Sequence, residues 1–593
     1  MKKLMTGNEA IARGAYEAGV LYASAYPGTP STEILENIAL YKECIVAEWA
    51  PNEKVAMEAV IGASIAGARS IASMKHVGLN VAADPVFTFS YTGVGGGSVI
   101  VTADEPGQHS SQNEQDSRNY AKAAKIPMLE PTDAQESKDM TKIAFMVSEE
   151  YDTPVFIRMT TRVCHSKGIV SCDGREDRAI IPYIKNAKKY VTVPTHARKL
   201  REKVATREKK LLDFSNATDL NFIEWGNKEI GVISSGVCYS YAKEIFGDKV
   251  SYLKLGFTYP LPTEKISEFC SNVEKIYVIE ENDPYIEEKV KELGFRCYGK
   301  NTFPEYGEML PEVIRQSVFG ELLPTVLYEE KEVVPRPPTL CAGCPHRGVF
   351  YELGKRKNIF ISGDIGCYTL GFAEPYNAMD QNVCMGSAMG VGHGAQKVFD
   401  MVNDNKMKVV SVLGDSTFFH TGLNGLIDVF YNKSNTVNII LDNRITGMTG
   451  HQENPSSGYT LQGEKTFEID IENVVKALGF KQVVVIDPNN LESVKKALDW
   501  ALSLDEPSVI ITRWPCVLKK LSPEDKNEFG ELFSAKCFVD SEKCIGCKKC
   551  LKTGCPAISF DKKNKKSVID SVPCVGCEVC KQVCPVHAIG KVE

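Results

Sequence analysis

Val409-Val410-Ser411-Val412-Leu413-Gly414-Asp415-Ser416 carries an apolar run straight into Gly-Asp-Ser, and a second run, Val437-Asn438-Ile439-Ile440-Leu441, delivers Asn443 28 residues after Asp415. Short, β-branched apolar runs of this kind read as strands buried on both faces, the habit of a parallel sheet. Oxygen-bearing side chains at the carboxyl ends of neighbouring parallel strands lie where such sheets bind ligands. The Asp415 carboxylate, the Asn443 amide oxygen and a backbone carbonyl just beyond, assigned to Ile445, make a ligand set for Mg2+ against a diphosphate. Gly414 lets backbone N–H groups approach the phosphates, with Ser416 next in the cradle. Gly-Asp-Ser alone also suits an ordinary turn. The Asn at this distance, between two strand patterns, is what strengthens the reading.

The same alternation extends over most of the chain. Asn8 to Ala18 has a helical pattern stopped by Gly19, Val20 to Ala25 reads as a strand, and Tyr26-Pro27-Gly28-Thr29-Pro30-Ser31 is a turn whose Ser31 is expected to cap the next helix. Ser98 to Thr102 and Pro154 to Ile157 add strands, so a mostly parallel sheet is expected. Lys185 to Lys210 is basic and polar and reads as a linker with some helix. A small α/β unit follows, with strands near 229–234 and 275–280. The charged, Pro-containing stretch 329–338 reads as a second linker.

Of the 593 residues 20 are cysteine, and nine of these fall at or after Cys537. No apolar run reaches the ~18–20 residues of a membrane span. The N-terminal residues turn polar before a signal core could form, so a cytoplasmic protein is expected. Disulfides are rare there, and cysteines crowded into one end point to metal. A net charge of −7 gives no sign of nucleic-acid binding. Cys574-x2-Cys577-x2-Cys580-x3-Cys584-Pro585 is the bacterial ferredoxin run; Cys544-x2-Cys547-x2-Cys550-x4-Cys555-Pro556 repeats it with one more residue in its last gap. Each run gives three ligands to one cubane and its Pro-flanked cysteine to the other. Cys544, Cys547, Cys550 and Cys584 then hold one [4Fe–4S] cluster, and Cys555, Cys574, Cys577 and Cys580 the second. A zinc module also uses Cys-x2-Cys pairs but fits two interleaved runs of four poorly. Lys548, Lys549, Lys552 and Lys581 offer either a docking face or a solvated surface.

At Gly414-Asp415-Ser416 and Asn443 the chain resembles thiamin diphosphate enzymes, whose motif is Gly-Asp-Gly followed by Asn; Ser416 departs from it in backbone freedom rather than ligation. Four N-terminal phrases extend the resemblance to the 2-oxoacid:ferredoxin oxidoreductase family: Gly7 to Ala15, Tyr26 to Ser31, Asn52-Glu53-Lys54-Val55-Ala56 and Gly62 to Ala68. The resemblance implies that Glu53 bonds the aminopyrimidine ring, with Glu58 in reserve, and that Thr29 lies near the substrate carboxylate. Met74 to Asn80, His109 to Gln115, Cys341 to Arg347 and Gly447 to Gln452 are similar to the branch acting on indolepyruvate. Cys341, Cys344, Cys367 and Cys516 match ligands of a third, proximal cluster in pyruvate-type relatives, although Pro345-His346 departs from their pattern and buried thiols are the alternative.

The implied fold is α/β: a pyrimidine-type parallel-sheet domain (1–180), a linker (181–225), a small α/β domain (226–325), a diphosphate-type parallel-sheet domain (335–520) and a C-terminal 2[4Fe–4S] ferredoxin-like domain (535–593). The implied activity is oxidative decarboxylation of an arylpyruvate, with thiamin diphosphate and Mg2+ as cofactors, CoA as co-substrate, ferredoxin as acceptor and a smaller β subunit in an α2β2 assembly. His76, His109, His346 and His451 are candidate proton carriers, and Phe87, Phe89 and Tyr91 are candidates to line an aryl pocket or a strand's core face. The alternatives are another 2-oxoacid such as pyruvate, a decarboxylase without redox chemistry, which the paired cysteines oppose, and a pure electron carrier, which Glu53 with Asp415 and Asn443 opposes.

Overall fold

The computed structural model describes every residue except 323–328, 330–332, 335, 403–406, 531–534 and 593. The chain divides into two compact units, Met1–Leu327 and Tyr328–Glu593. Part of the stretch read as a second linker, 329–338, lies outside the described residues.

The first unit is built on a seven-stranded sheet in the order Phe257–Tyr259, Met128–Leu129, Val155–Thr160, Ser98–Asp104, Ser70–Lys75, Tyr22–Ala25, Val46–Trp49. All neighbours are parallel except the outermost strand Phe257–Tyr259. Every residue of Ser98–Asp104 and Val155–Thr160 is buried, as central parallel strands covered on both faces require. A four-stranded sheet, Lys275–Ile279, Ile230–Ser235, Ser251–Leu255 and Asn221–Glu224, forms the small α/β part. Buried guanidiniums tie the two sheets together. Arg118 meets Asp116 at 2.6 Å and Glu280 at 2.7 Å, and Arg158 meets Asp104 at 2.6 Å and Asn282 at 2.7 Å.

Three local expectations change. The expected linker is largely one helix, Pro194–Ala217, whose buried Leu200, Val204, Arg207, Leu211 and Ser215 recur at helical spacing. Phe87, Phe89 and Tyr91 sit on the helix His76–Thr92, not on a strand, so alternate residues do not share a face; Phe89 is core and Phe87 is exposed. Ser31 does not cap the helix Thr32–Ala39: its hydroxyl donates to the Gly28 carbonyl at 2.9 Å and braces the turn instead.

The second unit holds five parallel strands in the order Ile359–Ser362, Lys408–Gly414, Val437–Asp442, Ser508–Arg513, Val483–Ile486. Gly414 is in register with Leu441, and Asp442 with Arg513. The first four strands therefore end at one edge, and the segments leaving them carry Cys367, Asp415, Asn443 and Cys516 in turn. The cysteine-rich tail is anchored to this domain. Gln582 Nε2 donates to the Asn489 carbonyl at 2.7 Å, and Tyr376 Oη to the Thr553 carbonyl at 2.7 Å. No helix among the described residues is long and apolar enough to cross a membrane.

Candidate functional site

Asp415 opens a short helix directly after its strand and is 2 % exposed. Its Oδ2 accepts from Asn454 Nδ2 and Ser456 Oγ, each at 3.2 Å. Burial first, and then the carboxylate of Asp442, push its carboxyl up to about 7. The other carboxylate oxygen faces Asn443. The amide oxygen of Asn443 lies 3.0 Å from Asp415 Oδ1 and 2.8 Å from the Ile445 carbonyl oxygen, with no hydrogen between them; only turning the amide over would convert both contacts to N–H···O bonds. Adjacent oxygens around an octahedral Mg2+ at its usual bond length stand about 3 Å apart, the same spacing. Ser416 Oγ, beside this trio, accepts from Thr446 Oγ1 at 2.9 Å.

Of the four candidates for a third cluster, Cys367 and Cys516 lie on the same edge, on segments leaving its strands. Cys516 N–H donates to the Asn443 carbonyl at 3.0 Å, and a methyl group at Gly447 would lie 3.8 Å from Cys367 Sγ. Burial raises the Cys344 thiol to about 12 and Cys367 to about 11, with Cys367 and Cys516 adding to the first and Cys516 and Cys341 to the second. Arg347, 1 % exposed, bonds the Cys341 carbonyl at 2.6 Å and the Thr553 carbonyl at 3.0 Å, linking this group to the tail. Among the described residues no three His, Cys, Asp or Glu side chains crowd tightly enough for a single ion.

In the tail, the backbone repeats itself. Gly546 and Lys548 in one run, and Gly576 and Glu578 in the other, take positive φ (68° and 59°; 78° and 60°). A methyl group at Gly576 would fall 1.7 Å from the Ala535 carbonyl oxygen, so only glycine fits this turn. One cavity is lined by Cys544, Cys547, Cys550 and Cys584, and a second by Cys555, Cys574, Cys577 and Cys580. The cavities thus bring together the two sets of four named from the spacing, Cys555 included. Cys537 also lines the second cavity, and Ala342 and Gly343 form part of its wall. The basic residues are mixed in role: Lys581 pairs with Glu578 at 2.8 Å, and Lys548 lies 4.3 Å over the ring of Phe560.

In the first unit, Glu53 begins the helix Glu53–Ile65, whose cap is the Asn52 side chain accepting from Val55 N at 2.9 Å. Glu53 is 6 % exposed; Glu58 is exposed and paired with Lys54, which removes it as a reserve. Gly78 admits the carboxylate, since a methyl group there would come 2.5 Å from Glu53 Oε1. Thr29 is half-buried in a turn held by Asn8 Nδ2 bonding the Pro30 carbonyl at 2.7 Å. Lys75, not singled out from the sequence, lays its stem 3.3 Å from a methyl position on Gly28. Its ammonium reaches Glu105 Oε2 at 3.6 Å, and burial pulls its pKa below the usual lysine range, with Glu105 and Glu53 opposing.

The histidines scatter. Buried His346 packs edge-on to Tyr368, and burial lowers it to about 4, so it is a neutral ring rather than a proton carrier near neutrality. His76 Nε2 lies 3.1 Å from the Asn113 carbonyl, and His109 is 3.3 Å from Glu308. His451 sits in a left-handed loop position, φ 67°.

Comparison with known proteins gives three family matches: "Pyruvate flavodoxin/ferredoxin oxidoreductase, thiamine diP-bdg" over residues 13–211, "Thiamine pyrophosphate enzyme, C-terminal TPP binding domain" over 364–512, and "4Fe-4S dicluster domain" over 543–588. The chain is 39% identical to the indolepyruvate oxidoreductase subunit IorA of Archaeoglobus fulgidus, covering 94% of this chain and 93% of that one. It is 38% identical to the subunit of the same name from Pyrococcus horikoshii, over 100% and 97% of the two chains. Similarity to the 2-oxoglutarate synthase subunit KorA of Archaeoglobus fulgidus is lower, 26% over 54% of this chain and 99% of that one.

Proposed function

The chain belongs to the indolepyruvate oxidoreductase subunit IorA family, and on that premise we propose how its residues work. It is a thiamin diphosphate-dependent 2-oxoacid:ferredoxin oxidoreductase subunit bearing [4Fe–4S] clusters. Its substrates are arylpyruvates, indolepyruvate and phenylpyruvate among them; CoA takes the acyl group, CO2 leaves, and ferredoxin takes the electrons. A smaller second subunit completes an α2β2 assembly in the cytoplasm.

The observation that carries the metal part is the convergence of Asp415 Oδ1, Asn443 Oδ1 and the Ile445 carbonyl. A Mg2+ held there would neutralise a buried carboxylate whose charge is otherwise opposed by burial and by Asp442. Gly414 and Ser416 shape the neighbouring diphosphate cradle. Thiamin diphosphate, when bound, supplies the electron sink that decarboxylation of a 2-oxoacid requires. Glu53 would bond the aminopyrimidine of the bound cofactor and hold or release a proton there, and Thr29 and the Lys75 ammonium would receive the substrate carboxylate. Cys544, Cys547, Cys550 and Cys584 ligate one cluster and Cys555, Cys574, Cys577 and Cys580 the other.

A third cluster on Cys341, Cys344, Cys367 and Cys516 is favoured by their gathering beside Asn443 and by Ala342 and Gly343, which wall the second tail cavity. Clusters held in the two tail cavities would supply one-electron carriers toward ferredoxin. The chain purified anaerobically with its partner subunit is expected to carry about 12 iron atoms per chain, and Cys367→Ala about four fewer. Equal iron in both proteins rejects the third cluster.

The substrate reading is tested by viologen-dye reduction with indolepyruvate, phenylpyruvate, pyruvate and 2-oxoglutarate, each with and without CoA. Arylpyruvates are expected to give a kcat/KM at least about tenfold above the others, and turnover to stop without CoA. A preference for pyruvate rejects the aryl assignment, and dye reduction without any 2-oxoacid rejects the enzyme reading.

A further inference from the structure

The tail holds nine cysteines where two cubanes need eight, and the ninth is not idle on the surface. Cys537 is 3 % exposed, on the strand Cys537–Val539 that pairs antiparallel with Ile589–Lys591. It lines the second cavity together with Cys555, Cys574, Cys577 and Cys580. Its backbone N–H donates to Cys574 Sγ at 3.4 Å, which fixes the strand against that ligand. Its own thiol lies within hydrogen-bonding reach of Cys580. The first cavity has no such extra: its cysteines are Cys544, Cys547, Cys550 and Cys584.

Resting on the ligand sets proposed above, we propose that Cys537 is a stand-by ligand of the second cluster, able to hold the iron that Cys580 holds. Cys580 rather than Cys574 is the exchange partner. The Cys537 thiol reaches both sulfurs, but Cys574 Sγ also accepts the strand's backbone N–H at 3.4 Å, so displacing Cys574 would break that anchor as well. In the exchange the Fe–S bond to Cys580 breaks as the Fe–S bond to Cys537 forms. The incoming thiol gives up its proton and the outgoing thiolate takes one up, and no electron is transferred. The site thus offers five thiols for four irons at the cluster nearer Cys341 and Cys344.

The test uses the full chain with its partner subunit, purified anaerobically, with iron analysis and spin integration of the reduced EPR spectrum. Cys580→Ala, and Cys580→Val as a closer volume match should alanine fail to accumulate, are expected to keep the full iron content and spin count. Cys537→Ala alone is also expected to keep both. The double variant Cys537→Ala/Cys580→Ala is expected to lose about four irons and one cluster's spin. Loss of the cluster in the single Cys580 variants, or its survival in the double variant, overturns the proposal. Cys550→Ala separates this from the ligand reading itself: with no spare thiol in its cavity it is expected to lose about four irons, and full retention there means the ligand sets are wrong.

Discussion

Replacing Asp415 with alanine will reduce 2-oxoacid-dependent dye reduction by on the order of 10²–10³-fold or more, while the iron content of the tail stays unchanged. The size follows from the chemistry of the site. Asp415 is the only carboxylate in the converging trio with Asn443 and Ile445, and a ligated divalent cation contributes several kcal/mol, about 1.4 kcal/mol per decade of rate. Removing it leaves two neutral oxygens, too few to hold a cation that dehydrates reluctantly. Thiamin diphosphate titrated by calorimetry in the presence of Mg2+ should then bind far more weakly, and excess chelator should have the same effect on the unaltered protein, reversed by added Mg2+. Unchanged affinity for the cofactor in the variant rejects the site. Loss of iron together with activity would mean that the tail and the diphosphate domain depend on each other for folding.

The parts legible in the sequence were those set by local pattern. Val409 to Leu413 and Val437 to Leu441 are apolar on both faces, and the sheet places them side by side with Gly414 against Leu441, so Asp415 and Asn443 leave together. The two ferredoxin runs were equally plain, because spacing in such a motif is the backbone path around the sulfurs. Where local signals compete, the reading failed. The alternation of Phe87, Phe89 and Tyr91 suggested a strand's core face, yet they lie on the helix His76–Thr92, whose packing of Leu79, Ala82, Val86 and Phe89 prevails even with Pro85 inside it. The helix Pro194–Ala217 hid in plain sight because its surface is so charged that the Leu200-Val204-Leu211 stripe was overlooked. Lys75 and Cys537 were not legible at all. Lys75 matters only because a turn at Gly28 and the side chain of Glu105 lie beside it, and Cys537 only because its strand closes on Ile589–Lys591, seven residues and a sheet away from the motif.

The second large effect concerns Glu53. Glu53→Gln keeps the length and hydrogen-bonding shape of the side chain but removes its capacity to act as a carboxylate, so turnover is expected to fall by about 10²–10⁴-fold, the range for a lost proton-transfer group. Thiamin diphosphate affinity and iron content should change little, because the residues proposed to hold the diphosphate and the clusters are other ones. The helix should survive as well, since its cap is Asn52 and not Glu53. Gly78→Ala offers an independent reading of the same position. Its methyl group would press to 2.5 Å from Glu53 Oε1, so the carboxylate must move with its chemistry intact. A displacement of about 1 Å at a reacting centre costs on the order of 10²-fold, and the alanine variant should show a loss of that size. Glu58→Gln, one turn along the same helix but exposed and paired with Lys54, is expected to leave kcat within about twofold. If Glu53→Gln retains full turnover, or if Glu58→Gln matches its loss, the proton-transfer role does not belong to Glu53. A Gly78→Ala enzyme of normal rate would show that the carboxylate's position beside Gly78 is incidental, because a group that works by contact cannot be moved aside without effect.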